Sequence, residues 1–296
     1  MDLKRLVSKL DKEFDVANVK DEWQWLFDDL FLKKSEKSFR KPMHHNGLVI
    51  KNSDTVNKIY TAFAPSTYVL EQIKEKGIKD CLLVVKHPFD WDGREIGEGF
   101  IPLSPKDYDL MEEMNVSLYS LHTPMDKNRH DKVVSTAYGF AKIIGMKVEE
   151  DFAVEGERNP TLLLGLIGTM KEKSFAELVK RLNLKLHYKV KEMKVSDEVG
   201  RVAIVTGGGF VPALMREAKE KGCNTYITGI ITTNSSEYSQ QNYPLELKEV
   251  QKVGINVIGA SHYLTEKWAM EFSVPYFKQF CPTEFIEDES ALKRLE

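Results

Sequence analysis

Five consecutive apolar residues, Cys81 to Val85, run without alternation into Lys86, His87 and Pro88. A strand with one wet face alternates apolar and polar side chains. An unbroken apolar run reads instead as a strand buried on both faces, as in parallel sheets covered by helices. The chain around it keeps this scheme. Ser66 can cap a helix that runs to Lys76 and stops at Gly77. Ser104, Pro105 and Asp107 combine a capping hydroxyl, a proline at the first helical position and an acid three residues after the cap, with the helix ending near Asn115. Residues 116–121 read as the next strand. Val133, Val134, Ala137, Tyr138, Ala141 and Ile144 then recur at helical spacing up to Gly145.

The second half repeats the alternation. Ser174 and Glu177 form a capping box for a helix to Asn183. Residues 201–205 are a strand followed by "TGGGF" and a helix over 211–221. A short strand covers 225–228, a helix 245–253, and a strand over 255–260 leads into "SHYLTE". Helices alternating with short apolar strands predict an α/β fold of two packed lobes with mixed, largely parallel sheets. The lobes are expected at 42–150 and 151–296, meeting near "DFAVEGERNP". Ahead of them, residues 1–41 read as an N-terminal helical extension with two apolar stripes: Leu3, Leu6, Val7, Leu10 and Phe14, then Trp23, Leu26, Phe27, Leu30 and Phe31. The polar, basic residues 33–41 read as a linker.

Composition narrows the function classes. The 296 residues carry 42 basic and 45 acidic side chains, a net charge of −3, and so lack the basic excess of a nucleic-acid binder. No apolar run reaches the ~18 residues that cross a bilayer, and "MDLKRLVSKL" is too charged for a signal peptide. A soluble, cytoplasmic protein with no membrane partner is expected. Cys81, Cys223 and Cys281 are scattered and read as small buried hydrophobes.

Ligands in open α/β sheets bind beyond the carboxyl ends of the strands. Three of four strand exits here carry a histidine: Lys86-His87, His122 with Asp126, and His262 with Glu266. The fourth carries Gly207 to Gly209, which either offers backbone N–H groups to an anion or, the reading favoured here, makes a tight turn. His262 and Glu266 stand at i and i+4, one face of a helix starting near Ser261. His122 and Asp126 share the spacing, but Pro124 argues for a turn. His87, Asp126, His262 and Glu266 therefore form a candidate metal set at one sheet edge. Imidazole plus carboxylate suits zinc, iron, manganese or nickel. One of His44 and His45 could face the site. His130 is expected to begin a helix in solvent, His187 to lie on a strand face, and Asp90 and Asp92 to shape a turn.

The motifs "NGL", "VVKHP", "LHTPMD", "AIVTGGG", "YITG" and "SHYLTE", in this order between Asn46 and Phe280, resemble the Nif-three-like family of dinuclear-metal-centre proteins, also known as GTP cyclohydrolase 1 type 2. The resemblance implies a Nif-three-like fold and one or two divalent metal ions. It also implies a small-molecule substrate, a purine-like ring attacked by a metal-bound water, and a ring-like homo-oligomer, often a hexamer. Carried over by position, the family's second histidine is His87, its Asp is Asp126, its late His is His262 and its Glu is Glu266. His122 opens the His-Thr motif, near the metals as a ligand or an acid–base group. The chain departs from the pattern at Ser261, where glycine is usual, and in "IITTNSSEYS" (residues 230–239), which is usually acidic.

The largest departure is Lys86, at the family's first ligand histidine. A lysine ligates only after losing a proton, which is costly from a pKa near ~10.4. The expectation is a metal-dependent hydrolase in which Lys86 replaces part of the second metal, leaving one ion on His87, Asp126, Glu266 and His262. Lys86 turned outward, with a second metal weakly held, is the competing arrangement. A metal carrier or scaffold without turnover is the alternative function.

Overall fold

Alternate residues of the strand Cys81–Val85 enter two different cores. Cys81, Leu83 and Val85 pack with Val69, Leu70 and Ile73 of the helix Thr67–Lys76 and with Tyr108 and Met111 of the helix Pro105–Glu113. Leu82 and Val84 pack with Leu3, Leu6 and Leu10 of the helix Leu3–Glu13 and with Phe277. Both faces are covered, which is why the run shows no alternation. The N-terminal helix is thus part of the core layer, started by Asp2 accepting from Arg5 N–H at 2.7 Å. These relations come from a computed structural model that describes residues 1–92, 99–154, 156–232 and 237–295, with the side chains of 237–239 left out.

Among the described residues, two main sheets carry the fold. The first runs Gly47–Ile50, Val116–Ser120, Cys81–Val85, Lys58–Ala62, Thr283–Phe285, parallel except for its first pair. The second runs Lys147–Val154, Leu163–Thr169, Arg201–Ile204, Cys223–Thr228, Asn256–Gly259, Lys191–Met193; it is parallel at its centre and antiparallel toward both margins. The fold is the expected mixed α/β arrangement. The last strand returns to the first sheet, so the chain crosses between the two sheets twice. Cys81, Cys223 and Cys281 are free and buried. Among the described residues no helix is long and apolar enough to cross a membrane.

Several local expectations give way to packing. The stripe from Trp23 to Phe31 is not one helix: Gln24–Leu26 is a 3-10 turn, and the α-helix Asp29–Lys34 starts where Asp28 accepts from Phe31 N–H at 2.7 Å. Residues 33–41 are not a bare linker, because Phe39 is buried against Phe31 and His45. The helix expected from Val133 begins at Thr136, capped by Ser135, and His130 is exposed beside Tyr138. His187 is on no strand. The helix Phe175–Leu186 continues to bury Leu186, and His187 ends it in the left-handed region. Asp90 and Asp92 lie on a strand paired with Gly99–Ile101 rather than in a turn. The helix expected over 245–253 starts earlier, as Glu237–Val253, with Pro244 inside it.

Candidate metal centre

The four strand exits meet at one place. After Cys81–Val85 the chain delivers Lys86 and His87, both with 0% of the side chain exposed. After Val116–Ser120 comes the short helix His122–Asp126. Pro124 is tolerated there, against the expected turn, because the first-turn N–H groups of a helix lack intrahelical partners anyway. After Asn256–Gly259, Ser261 caps the helix His262–Phe272, which places His262 and Glu266 on one face as the spacing predicts.

His87 Nε2 lies 2.8 Å from Glu266 Oε2, and His262 Nε2 lies 3.3 Å from the same oxygen. The three candidate ligand atoms are within 4.8 Å of one another and all three residues are buried. The Nδ1 atoms of both imidazoles are buried with no hydrogen-bond partner. Two imidazoles and one carboxylate, buried together within 4.8 Å, are a donor set that suits a divalent cation. Lys86 Nζ stands 3.0 Å from Asp126 Oδ2 and 3.7 Å from Glu266 Oε2. The structure therefore brings together His87, His262 and Glu266 and gives Asp126 to Lys86. The other Asp126 oxygen accepts from Thr136 Oγ1 at 2.8 Å, and Thr136 in turn contacts Thr206 at 2.9 Å.

A sequence model of the family described as Duf34/NIF3 (NGG1p interacting factor 3) matches residues 29–288. The chain belongs to that family. It is 29% identical over 229 residues to a GTP cyclohydrolase 1 type 2 homolog of Borreliella burgdorferi, covering 76% of this chain and 80% of the relative. Among solved structures, protein ybgI aligns at a TM-score of 0.69 and 20% identity over 97% of this chain and 98% of the other. A Bacillus cereus protein related to NIF3 aligns at 0.62 and 13% identity over 98% and 97%. At these identities the two structures establish the fold.

Electrostatics at the NIF3-family site follow from burial and one ammonium group. Burial, reinforced by Lys86, holds the His87 imidazole well below its usual pKa, outweighing the pull of Glu266. Neutral imidazole is the form that binds a metal. Burial also pushes the Glu266 carboxyl up. The charges of Lys86 and His262 and the bonds from both imidazoles win, and its pKa falls well below the carboxylate range. At Asp126 burial prevails over Lys86, and the carboxyl is raised.

Three contributors were not legible in the sequence. Gly207, from the "TGGGF" turn, has φ +61°, and a Cβ there would collide with Glu266 and come within 2.9 Å of His262 Nε2. Its position after a strand was the available signal. Asp21 and Trp23 reach the site from the N-terminal segment; no local pattern marks Asp21, and the apolar stripe that holds Trp23 points to packing rather than to a site. Trp23 sets its ring edge-on to His122 at 4.8 Å and to His87 at 5.9 Å. Of the histidine pair, His45 is buried and accepts from Trp23 N–H at 2.6 Å, while His44 is exposed. In the stretch 230–239, residues 233–236 lie outside the described residues.

A cavity of about 930 Å³ opens beside His262, with Trp91 and Trp268 in its wall. Lys185, Lys189, Lys191, Lys267 and Arg294 line it against two carboxylates, Asp92 and Glu287.

Proposed function

We propose that this chain is a metal-dependent hydrolase with a one-ion centre, acting on a small anionic substrate of the purine nucleotide type. The observation that carries the reading is the buried triad of His87, His262 and Glu266, with ligand atoms within 4.8 Å. Three protein donors leave a coordination position open, the layout of catalytic rather than closed structural sites. Bound there, a divalent ion would supply Lewis acidity at neutral pH. Zinc, iron, manganese and nickel all suit these donors.

The chain's own residues do the rest. His87 stays neutral through burial, and Glu266 stays ionised through Lys86 and the two imidazoles. Lys86 brings a fixed positive charge to Asp126 and Glu266, where a second cation would otherwise stand. His122, whose ring centre is 4.8 Å from that of His87, is the proton-handling group. The excess of lysine and arginine around the adjoining cavity suits an anionic ligand, and the rings of Trp91 and Trp268 suit a planar one. The name of the Borreliella relative agrees with such a substrate.

One observation favours a second reading, a metal carrier or scaffold without turnover: the three ligands are at most 7% exposed. The deciding experiment measures metal per chain by elemental mass spectrometry in the native protein and in Lys86→His, each assayed for GTP hydrolysis. One ion in the native chain and two in the variant is the expected result. Two ions in both removes the one-ion reading, and none in either ends the metal reading. Turnover that His262→Ala abolishes supports the hydrolase; bound metal without turnover supports the carrier. Sedimentation of the same samples tests the ring-like homo-oligomer, a hexamer, proposed from the family.

A further inference from the structure

The family match begins at residue 29, yet the residue closest to His122 in hydrogen-bonding terms precedes it. Asp21 Oδ2 lies 2.7 Å from His122 Nδ1, and the two residues are 101 positions apart in the chain. The same oxygen accepts from Thr123 N–H at 3.2 Å and from Thr123 Oγ1 at 2.9 Å. Asp21 Oδ1 accepts from Glu22 N–H at 2.9 Å. Asp21 is only 3% exposed.

Its backbone is fixed from two directions. Asp21 N–H donates to Met43 O at 3.2 Å. The preceding Lys20 is clamped by Asn159, which accepts from its N–H at 2.9 Å and donates to its carbonyl at 2.8 Å. The His122 ring stands beside Trp23 and His87, each with its ring centre 4.8 Å away.

We propose that Asp21 is a positioning residue for His122: its carboxylate keeps that imidazole's proton on Nδ1 and leaves Nε2 as the nitrogen that acts in the site. The reason lies in the donor inventory. An ionised carboxylate only accepts, so the ring nitrogen facing it must carry the hydrogen. A neutral imidazole has one such hydrogen, and the lone pair is then on Nε2. The usual preference of a free imidazole is the reverse. The Asp21 carboxyl accepts from Glu22 N–H, Thr123 N–H and Thr123 Oγ1, the pattern of an ionised, acceptor-only group. Carboxylates that orient an imidazole in this way recur behind metal sites and in hydrolytic triads. What His122 then does rests on the metal reading proposed above; the tautomer does not.

The test is solid-state nitrogen-15 NMR of histidine-labelled protein, with zinc, which is diamagnetic, as the only added metal. The chain has seven histidines, and His122→Asn identifies the signals of interest by removing them. The expected spectrum shows His122 protonated at Nδ1 and not at Nε2. In Asp21→Ala the proton moves to Nε2, while circular dichroism and zinc content stay at native values. A native ring with its proton on Nε2, or with protons on both nitrogens, overturns the proposal. So does a folded Asp21→Ala that keeps the native pattern. If Asp21→Ala does not fold, the native spectrum decides alone. Zinc bound with the wrong tautomer sinks this inference and spares the metal reading; the right tautomer without zinc does the opposite.

Discussion

Lys86 Nζ stands 3.0 Å from Asp126 Oδ2 with its side chain wholly out of solvent. A buried ion pair adds little over a well-packed apolar pair, but removing one partner strands the other charge. Lys86→Met is expected to destabilise the protein by about 3–5 kcal/mol in urea unfolding. Adding Asp126→Asn to it should recover part of that loss, since the stranded charge goes with it. A single variant as stable as the native chain would show that Lys86 does not hold these carboxylates.

Gly207→Ala adds a Cβ where Glu266 and His262 Nε2 already stand, at a φ of +61°. The backbone cost for a non-glycine residue in this region is roughly 1–2 kcal/mol. Displacing Glu266 should also weaken zinc binding by about 10–100-fold, the range seen when groups supporting metal ligands are altered. Titration calorimetry and a thermal melt measure both effects, and native zinc affinity in the variant would remove Gly207 from the site.

Ser261 occupies φ +70° and ψ 137°, a conformation that favours glycine, while its hydroxyl accepts from Leu264 N–H at 3.4 Å as a helix cap. Strain of this kind costs of order 1–3 kcal/mol, and replacing a capping serine by glycine costs only a few tenths. Ser261→Gly should therefore raise stability by about 1 kcal/mol, read as a higher melting temperature. A fall would mean that the cap outweighs the strain.

Burial pushes the Asp90 carboxyl up to about 6, against the opposing charge of Arg294. A folded-state pKa above the unfolded value near 3.8 means that the folded form binds the proton more tightly. The group's contribution to stability is then full below that unfolded value and is lost as pH rises through about 6. Asp90→Asn should match the native chain near pH 4 and exceed it by roughly 2–3 kcal/mol near neutrality, at 1.36 kcal/mol per unit. Denaturant midpoints across that interval check it; a pH-independent difference would show that Asp90 does not titrate there.

Much of the candidate site was legible because its parts are local. His262 and Glu266 share a helix face by their spacing, and the exits of Cys81–Val85 and Val116–Ser120 follow from apolar runs that end in polar residues. The N-terminal half was harder. Trp23 and Phe27 fit a helical stripe but are aromatic for other reasons: Trp23 packs on His122 and His87, and Phe27 on Phe31 and His45. Periodicity counts apolar residues without knowing what they touch.

The alternation of strands and helices, the both-faces burial of Cys81–Val85 and the i,i+4 pairing of His262 with Glu266 follow from local chemistry, because capping, periodicity and φ preference act within a few residues. That Lys86 turns inward onto Asp126, that Gly207 yields space to Glu266, and that Asp21 meets His122 across 101 residues depends on long-range packing. Those contacts depend on how the two sheets and the N-terminal segment pack, and a buried charge takes whichever partner that packing brings within reach.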